Sequence, residues 1–488
     1  MTEEMMHVTI SLIDKAGGFV SRKIAEKVLR LAAEERVEEL SSLFRFISGI
    51  APAKYHRESF SLLADMIDAD DPFVGVVKRV AREANPRCLE KLVHNLVVNF
   101  MVLGRGTRDR RERELGVHLP NFLVISPTMK CNLNCRGCYA GQYDTRAELS
   151  FDELDRILTE AKNLGMFFFT FTGGEAFTRR DLPDLWRKHD DCIFQVYTNG
   201  TLIDDSMIGT LAECGNVLPM VSVEGGVRET DLRRGKGIYD AVLAAFRRMK
   251  DAGIIFGFSA TFTNVSAPYL LSDDFLQTMI GLGCMVGWFF QYVPIGTKPD
   301  VSYMASPEDR VTLHRKVTEW RKDRRFPIFL GDFWNDGPFV DGCMAGGERY
   351  WHIISDGRVE PCVFVPFAVD SVREKSLVEI ARSPFFTAIR NAQPYDDDNL
   401  LRPCLILDHP EILRTLVDAY GAQPCHKGLD AILRGPCADG LDRYSKILAD
   451  LYDPVWSRGE RERYLRSLER EDKSYFLDKI QKHLPVTK

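Results

Sequence analysis

Three cysteines spaced C-x3-C-x2-C are the residues of this chain best placed to do chemistry: Cys131, Cys135 and Cys138, in the run Cys131-Asn132-Leu133-Asn134-Cys135-Arg136-Gly137-Cys138. Thiolates are soft donors for iron, and three at this spacing reach three corners of a four-iron cubane. Iron–sulfur clusters ordinarily take four cysteine ligands, so this loop leaves one iron for another donor. The C-x2-C half of the motif also suits tetrahedral zinc, and spacing alone leaves both metals open. Further along, Gly173 and Gly174 precede Glu175. Paired glycines let a ligand approach the backbone closely, and a carboxylate suits an ammonium group.

The elements that must position these residues are legible in the pattern of apolar runs. Candidate strands at 122–127, 167–172, 193–198, 217–223, 254–261 and 286–293 alternate with helical patterns at 150–164, 181–189, 204–213, 237–252 and 272–282. Six β/α units in succession predict a parallel sheet buried on both faces. Reactive groups gather at the carboxyl ends of such strands. The cysteine loop, Gly173 to Glu175, Thr198-Asn199-Gly200 and residues 222–226 all fall there.

This order of motifs resembles the radical S-adenosylmethionine (SAM) superfamily, over residues 120–450. The resemblance implies an α/β fold with a partial (β/α)6 TIM-like barrel, and a [4Fe-4S] cluster on Cys131, Cys135 and Cys138. It implies that SAM occupies the open iron and is cleaved reductively to a 5′-deoxyadenosyl radical that abstracts hydrogen from substrate. An electron donor such as flavodoxin or ferredoxin is implied with it. Gly173, Gly174 and Glu175 then receive the amino group of SAM. Thr198, Asn199, Ser222 and Glu224 stand where relatives contact ribose and methionine, and Arg234 is a candidate for the SAM carboxylate. Ala176 replaces the proline that many relatives carry after the glutamate.

A second group of cysteines follows at Cys343 and Cys362. Between them, Asp356-Gly357 reads as a type I′ turn joining two short strands, and a hairpin brings the two thiols together. This segment resembles the SPASM or twitch extension of radical SAM enzymes, which binds an auxiliary [4Fe-4S] cluster. Cys404 is expected as a third ligand and Cys425 as the fourth, with Cys437, His426 and His409 as alternatives. Cys88, Cys192, Cys214 and Cys284 read as core.

The expected domains are helical residues 1–118, the barrel at 119–300, the auxiliary-cluster extension at 301–455, and a terminal helix and tail at 456–488. The formal charge of −6 on 488 residues points to no nucleic-acid partner. No apolar run is long enough for a transmembrane segment, and the acidic N-terminus lacks a signal-peptide layout. A cytoplasmic protein is expected. The apolar stretch within 92–103 and the arginines at 105–113 also motivate a peripheral membrane contact and a lipid or isoprenoid substrate. A peptide, a cofactor or metabolite, and a non-enzymatic metal-binding role are the competing readings.

Overall fold

The computed structural model describes residues 27, 31, 34, 36–50, 54–395 and 398–471. The strands are β1 (Phe122–Ile125), β2 (Phe168–Phe171), β3 (Ile193–Thr198), β4 (Val217–Ser222), β5 (Gly257–Phe262), β6 (Val286–Gln291), β7 (Phe329–Asp332), β8 (Tyr350–Ile353), β9 (Arg358–Glu360), β10 (Phe367–Ala368), β11 (Asp370–Ser371) and β12 (Gln423–Pro424). Ten of them form one sheet in the order β11-β9-β8-β1-β2-β3-β4-β5-β6-β7. From β1 to β7 every neighbouring pair is parallel, and the result is a partial TIM-like barrel. Connecting helices start where the sequence says they should. Ser150 and Glu153 close a capping box at Phe151–Asn163, and Ser306 with Asp309 does the same at Pro307–Arg321.

The six expected strands are present, but the sheet does not stop there. β7 follows as a seventh parallel strand, beyond the six expected. The β8–β9 hairpin lies beside β1, with Val124 opposite His352. The extension therefore continues the barrel sheet across the boundary expected at 300. The hairpin turn also differs from the expected type. Gly357 N donates to Ile354 O, and only Gly357 has a positive φ (91°). This is a three-residue loop with a left-handed glycine, not a type I′ turn.

Helices Val37–Ile50 and Lys54–Asp68 pack together through Phe44 and Phe60, whose ring centres are 5.7 Å apart. Of the helical region expected at 1–118, residues 1–35 lie, apart from 27, 31 and 34, outside the described residues, as does the tail beyond 471. The apolar stretch is a wide π-helical segment, Leu92–Gly104, that caps the lower end of the barrel. Asn95 Nδ2 donates to the carbonyls of Asp190 (2.9 Å) and Cys192 (2.7 Å), and Phe100 meets Phe168. Arg108, in the following helix Arg105–Leu115, is buried and donates to Gly165 O at 2.7 Å. This part of the arginine-rich segment is thus committed to the barrel floor. No described helix is long and apolar enough to cross a membrane.

Within the extension, Arg310 and Asp408 form an ion pair with no exposed side-chain surface. Asp408 Oδ2 also accepts the amide of Cys404 at 2.9 Å. A buried pair of this kind leaves an uncompensated charge when one partner is removed, so it holds the turn that carries Cys404.

Candidate functional site

The cysteine loop starts beyond the carboxyl end of β1 and is tied to its neighbours by backbone bonds. Glu175 N donates to Lys130 O (2.8 Å), Gly174 N to Thr128 O (3.1 Å), and Arg136 N to Arg233 O (2.8 Å). A Cβ on Gly174 would stand 2.1 Å from the Lys130 carbonyl oxygen, so only glycine permits this approach. Gly174→Ala should push the cysteine loop away from β2 and weaken SAM binding by at least about tenfold, ~1.4 kcal/mol. Anaerobic titration calorimetry with SAM measures it; unchanged affinity would remove the loop-to-turn coupling from the account.

Cys131 is exposed, Cys135 buried and Cys138 intermediate, and none forms a disulfide. Burial raises the thiol pKa of Cys135, while the guanidinium groups of Arg234 and Arg233 pull it back. The amide of Leu133 donates to Cys131 Sγ at 3.4 Å. The same bond, from the residue two further on to the sulfur, recurs at Cys343 (from Ala345) and Cys362 (from Phe364), each 3.4 Å. Backbone N–H bonds to sulfur stabilise thiolate ligands and tune cluster potential, so both cysteine groups fit iron–sulfur clusters.

The polar residues expected around SAM occupy strand ends, but several are already engaged. Glu175 is fully buried; its carboxylate accepts Thr198 Oγ1 (2.8 Å), Asn199 N (2.7 Å) and Phe177 N (3.1 Å). It clamps the ends of β2 and β3 beside the Gly173-Gly174 turn. Burial raises its pKa above the usual carboxylate value, against the opposing pull of the Asn199 amide and the Thr198 hydroxyl. Glu224, expected at ribose, is sealed between Arg233 (2.6 Å) and Arg234 (2.7 Å) and accepts Thr261 N at 2.9 Å. Burial opposes its ionisation, yet the two arginines hold its pKa below the usual value. Arg234 is correspondingly bound to Glu224. Ser222 Oγ, half-buried, sits 3.2 Å from Ser259 Oγ.

Other contributors carried no sequence signal beyond their types. Asn199 Nδ2 donates to Asn132 Oδ1 (2.8 Å), and Asn132 Nδ2 donates to Thr201 Oγ1 (2.8 Å), linking the cysteine loop to the end of β3. Arg233 supplies the second positive charge near Cys135. A buried chain runs from Ser126 Oγ to His352 Nε2 (2.7 Å), from His352 Nδ1 to Glu360 Oε2 (2.6 Å), and from Tyr143 OH to Glu360 Oε1 (2.9 Å). It joins β1 to β8 and β9 beside the Gly173 turn.

Cys343, Cys362 and Cys404 line one cavity together with Phe333, Trp334 and Phe364. Burial raises their thiol pKa values, Cys362 to about 11 and Cys404 to about 12, so iron uptake must expel protons. Cys425, expected as the fourth ligand, is elsewhere. Pairing of β12 with β10 puts its amide on Pro366 O (2.8 Å) and packs it with Met129, Tyr143 and Ala368. The alternatives do not line the cavity either. Cys437 approaches Pro294 O, His426 packs on Tyr143, and His409 stacks on Tyr395 at 4.2 Å.

Residues 125–270 match the radical SAM superfamily, and residues 343–405 match SPASM, an iron–sulfur cluster-binding domain. The AdoMet-dependent heme synthase of Oleidesulfovibrio alaskensis is 25% identical over 59% of this chain and 81% of that protein. The Fe-coproporphyrin III synthase of Methanosarcina barkeri is 35% identical over 47% of this chain and 62% of that protein. In fold, the chain is similar to Streptococcus suis SuiB solved with S-adenosylmethionine, with a TM-score of 0.51 and 20% identity over 59% of this chain and 72% of that one. The cofactors are a four-iron cluster with SAM in the barrel and an auxiliary iron–sulfur cluster in the extension. Barrel, cysteine loop and following cluster domain thus agree: the chain carries a radical SAM domain at 125–270 and, after it, a SPASM domain at 343–405, and is an enzyme of that type.

Proposed function

We propose that this enzyme abstracts hydrogen from a cofactor-type substrate with a broad conjugated body, a tetrapyrrole, held between the two cysteine sites. The observation that carries this reading is an aromatic wall. Tyr139, directly after Cys138, meets Phe364 at 6.0 Å; Phe364 meets Trp334 at 5.0 Å, Trp334 meets Phe333 at 5.0 Å, and Phe333 meets Phe290 at 5.2 Å. Trp288 stacks beside Phe290 at 6.1 Å, and both are half-buried on alternate positions of β6. Trp334 is buried and backs the others, while Tyr139, Trp288, Phe290, Phe333 and Phe364 are half-buried and keep surface for a flat apolar partner. The names of the two synthases above support the same class.

When bound, the cluster and SAM supply a carbon-centred radical. This chain's own residues do the rest. Cys131, Cys135 and Cys138 hold the iron, Arg233 and Arg234 balance its charge, and Glu175 fixes the Gly173-Gly174 turn. The aromatic wall keeps water from the reacting carbon.

The test is substrate-triggered 5′-deoxyadenosine formation with SAM and dithionite. Iron-coproporphyrin III should raise the rate at least about tenfold over the uncoupled background, ~1.4 kcal/mol in barrier. An unstructured peptide and an isoprenoid lipid in micelles should not. Stimulation by the peptide or the lipid alone, or by none of the three, overturns the tetrapyrrole reading.

A further inference from the structure

At the lower end of the barrel, the turn between helix Leu182–Lys188 and β3 carries His189, Asp190, Asp191 and Cys192. A ring nitrogen of His189, a carboxylate oxygen of Asp191 and Sγ of Cys192 lie within 4.8 Å of one another. We propose that these three side chains form a zinc site, separate from both iron–sulfur sites, whose ion fastens the barrel floor to the segment Leu92–Gly104.

The donors are already spaced for it. Cys192 Sγ is 3.5 Å from Asp191 Oδ1, and tetrahedral zinc bonds of about 2.3 Å to sulfur and about 2.0 Å to oxygen require a separation of about 3.5 Å. His189 Nε2 lies 3.0 Å from Asp155 Oδ1. A carboxylate behind the imidazole is how metal-bound histidines are commonly oriented. The other ring nitrogen, Nδ1, is buried and has no hydrogen-bond partner among the described residues. His189 is 2% exposed and Cys192 fully buried. A second orphan lies alongside: Asn216 donates its Nδ2 to the His189 carbonyl at 3.3 Å, while its buried Oδ1 has no partner.

The positive charge at this place now comes from Lys162, whose Nζ is 3.0 Å from both oxygens of Asp191. Its flexible stem lets the ammonium swing into solvent, and the half-exposed Asp191 gives an ion its way in. Zinc and Lys162 therefore compete. The carbonyls of Asp190, Asp191 and Cys192 accept the side-chain amides of Asn95 and Asn99, so an ion held here stiffens the seat of the capping segment.

The experiment uses the iron-loaded full chain, equilibrated with one equivalent of zinc sulfate and desalted. Mass spectrometry should find about one zinc per chain, and zinc K-edge absorption should show one sulfur at about 2.3 Å with nitrogen and oxygen near about 2.0 Å. Cys192→Ala should lower zinc affinity at least about tenfold and Lys162→Gln should raise it about fivefold, both with unchanged iron content. Lys162→Gln carries the test if the buried cysteine variant does not fold. No retained zinc, two or more sulfur neighbours, equal retention by Cys192→Ala, or weaker binding by Lys162→Gln overturns the site.

Discussion

Alanine in place of any one of Cys131, Cys135 and Cys138 should reduce 5′-deoxyadenosine formation by at least about a thousandfold, ~4 kcal/mol in barrier. About four of about eight irons per chain should remain. The loop offers three sulfurs for four irons, so loss of one leaves too few donors to keep a cluster, and SAM loses its seat with it. Cys135 is the most sensitive position, because it is buried and faces Arg233 and Arg234; without its thiolate the two guanidinium groups share the single carboxylate of Glu224 as their ion-pair partner among the described residues. Iron analysis with quantified 5′-deoxyadenosine checks both halves. A variant that keeps full turnover would refute the assignment of this loop.

The second large effect separates Cys404 from Cys425. Cys343→Ala, Cys362→Ala and Cys404→Ala should each lose the auxiliary cluster, about four irons, while dithionite-driven SAM cleavage without substrate persists. Cys425→Ala should keep all of its iron, because Cys425 packs against Tyr143 and Ala368 and not on the cavity shared by the other three. Low-temperature paramagnetic resonance of the reduced protein distinguishes the outcomes: two cluster signals in Cys425→Ala, one in the others. Loss of the auxiliary signal from Cys425→Ala would mean that the chain near β12 closes onto the cluster when iron binds.

Motif position alone did not reveal how the polar residues are held. Type and position predicted Glu175 and Glu224 as ligand contacts, since both follow strands at the reactive end of the barrel. Burial adds a structural role to both. A buried carboxylate must be satisfied by nearby donors, and Thr198, Asn199, Arg233 and Arg234 supply them. Their contribution is to hold the turn and the charge balance on which ligand binding relies.

The thiol spacing, the glycine pair and the alternation of strand with helix are local properties, readable along a few tens of residues, and they sufficed to expect a radical SAM domain and its barrel, both of which are found. Which thiols share the second site, and that the extension continues the sheet, depend on pairings between remote segments: β8 against β1, β12 against β10, and Asp408 against Arg310. Such contacts arise from shape and burial across the whole molecule, and no pattern confined to one stretch of chain encodes them.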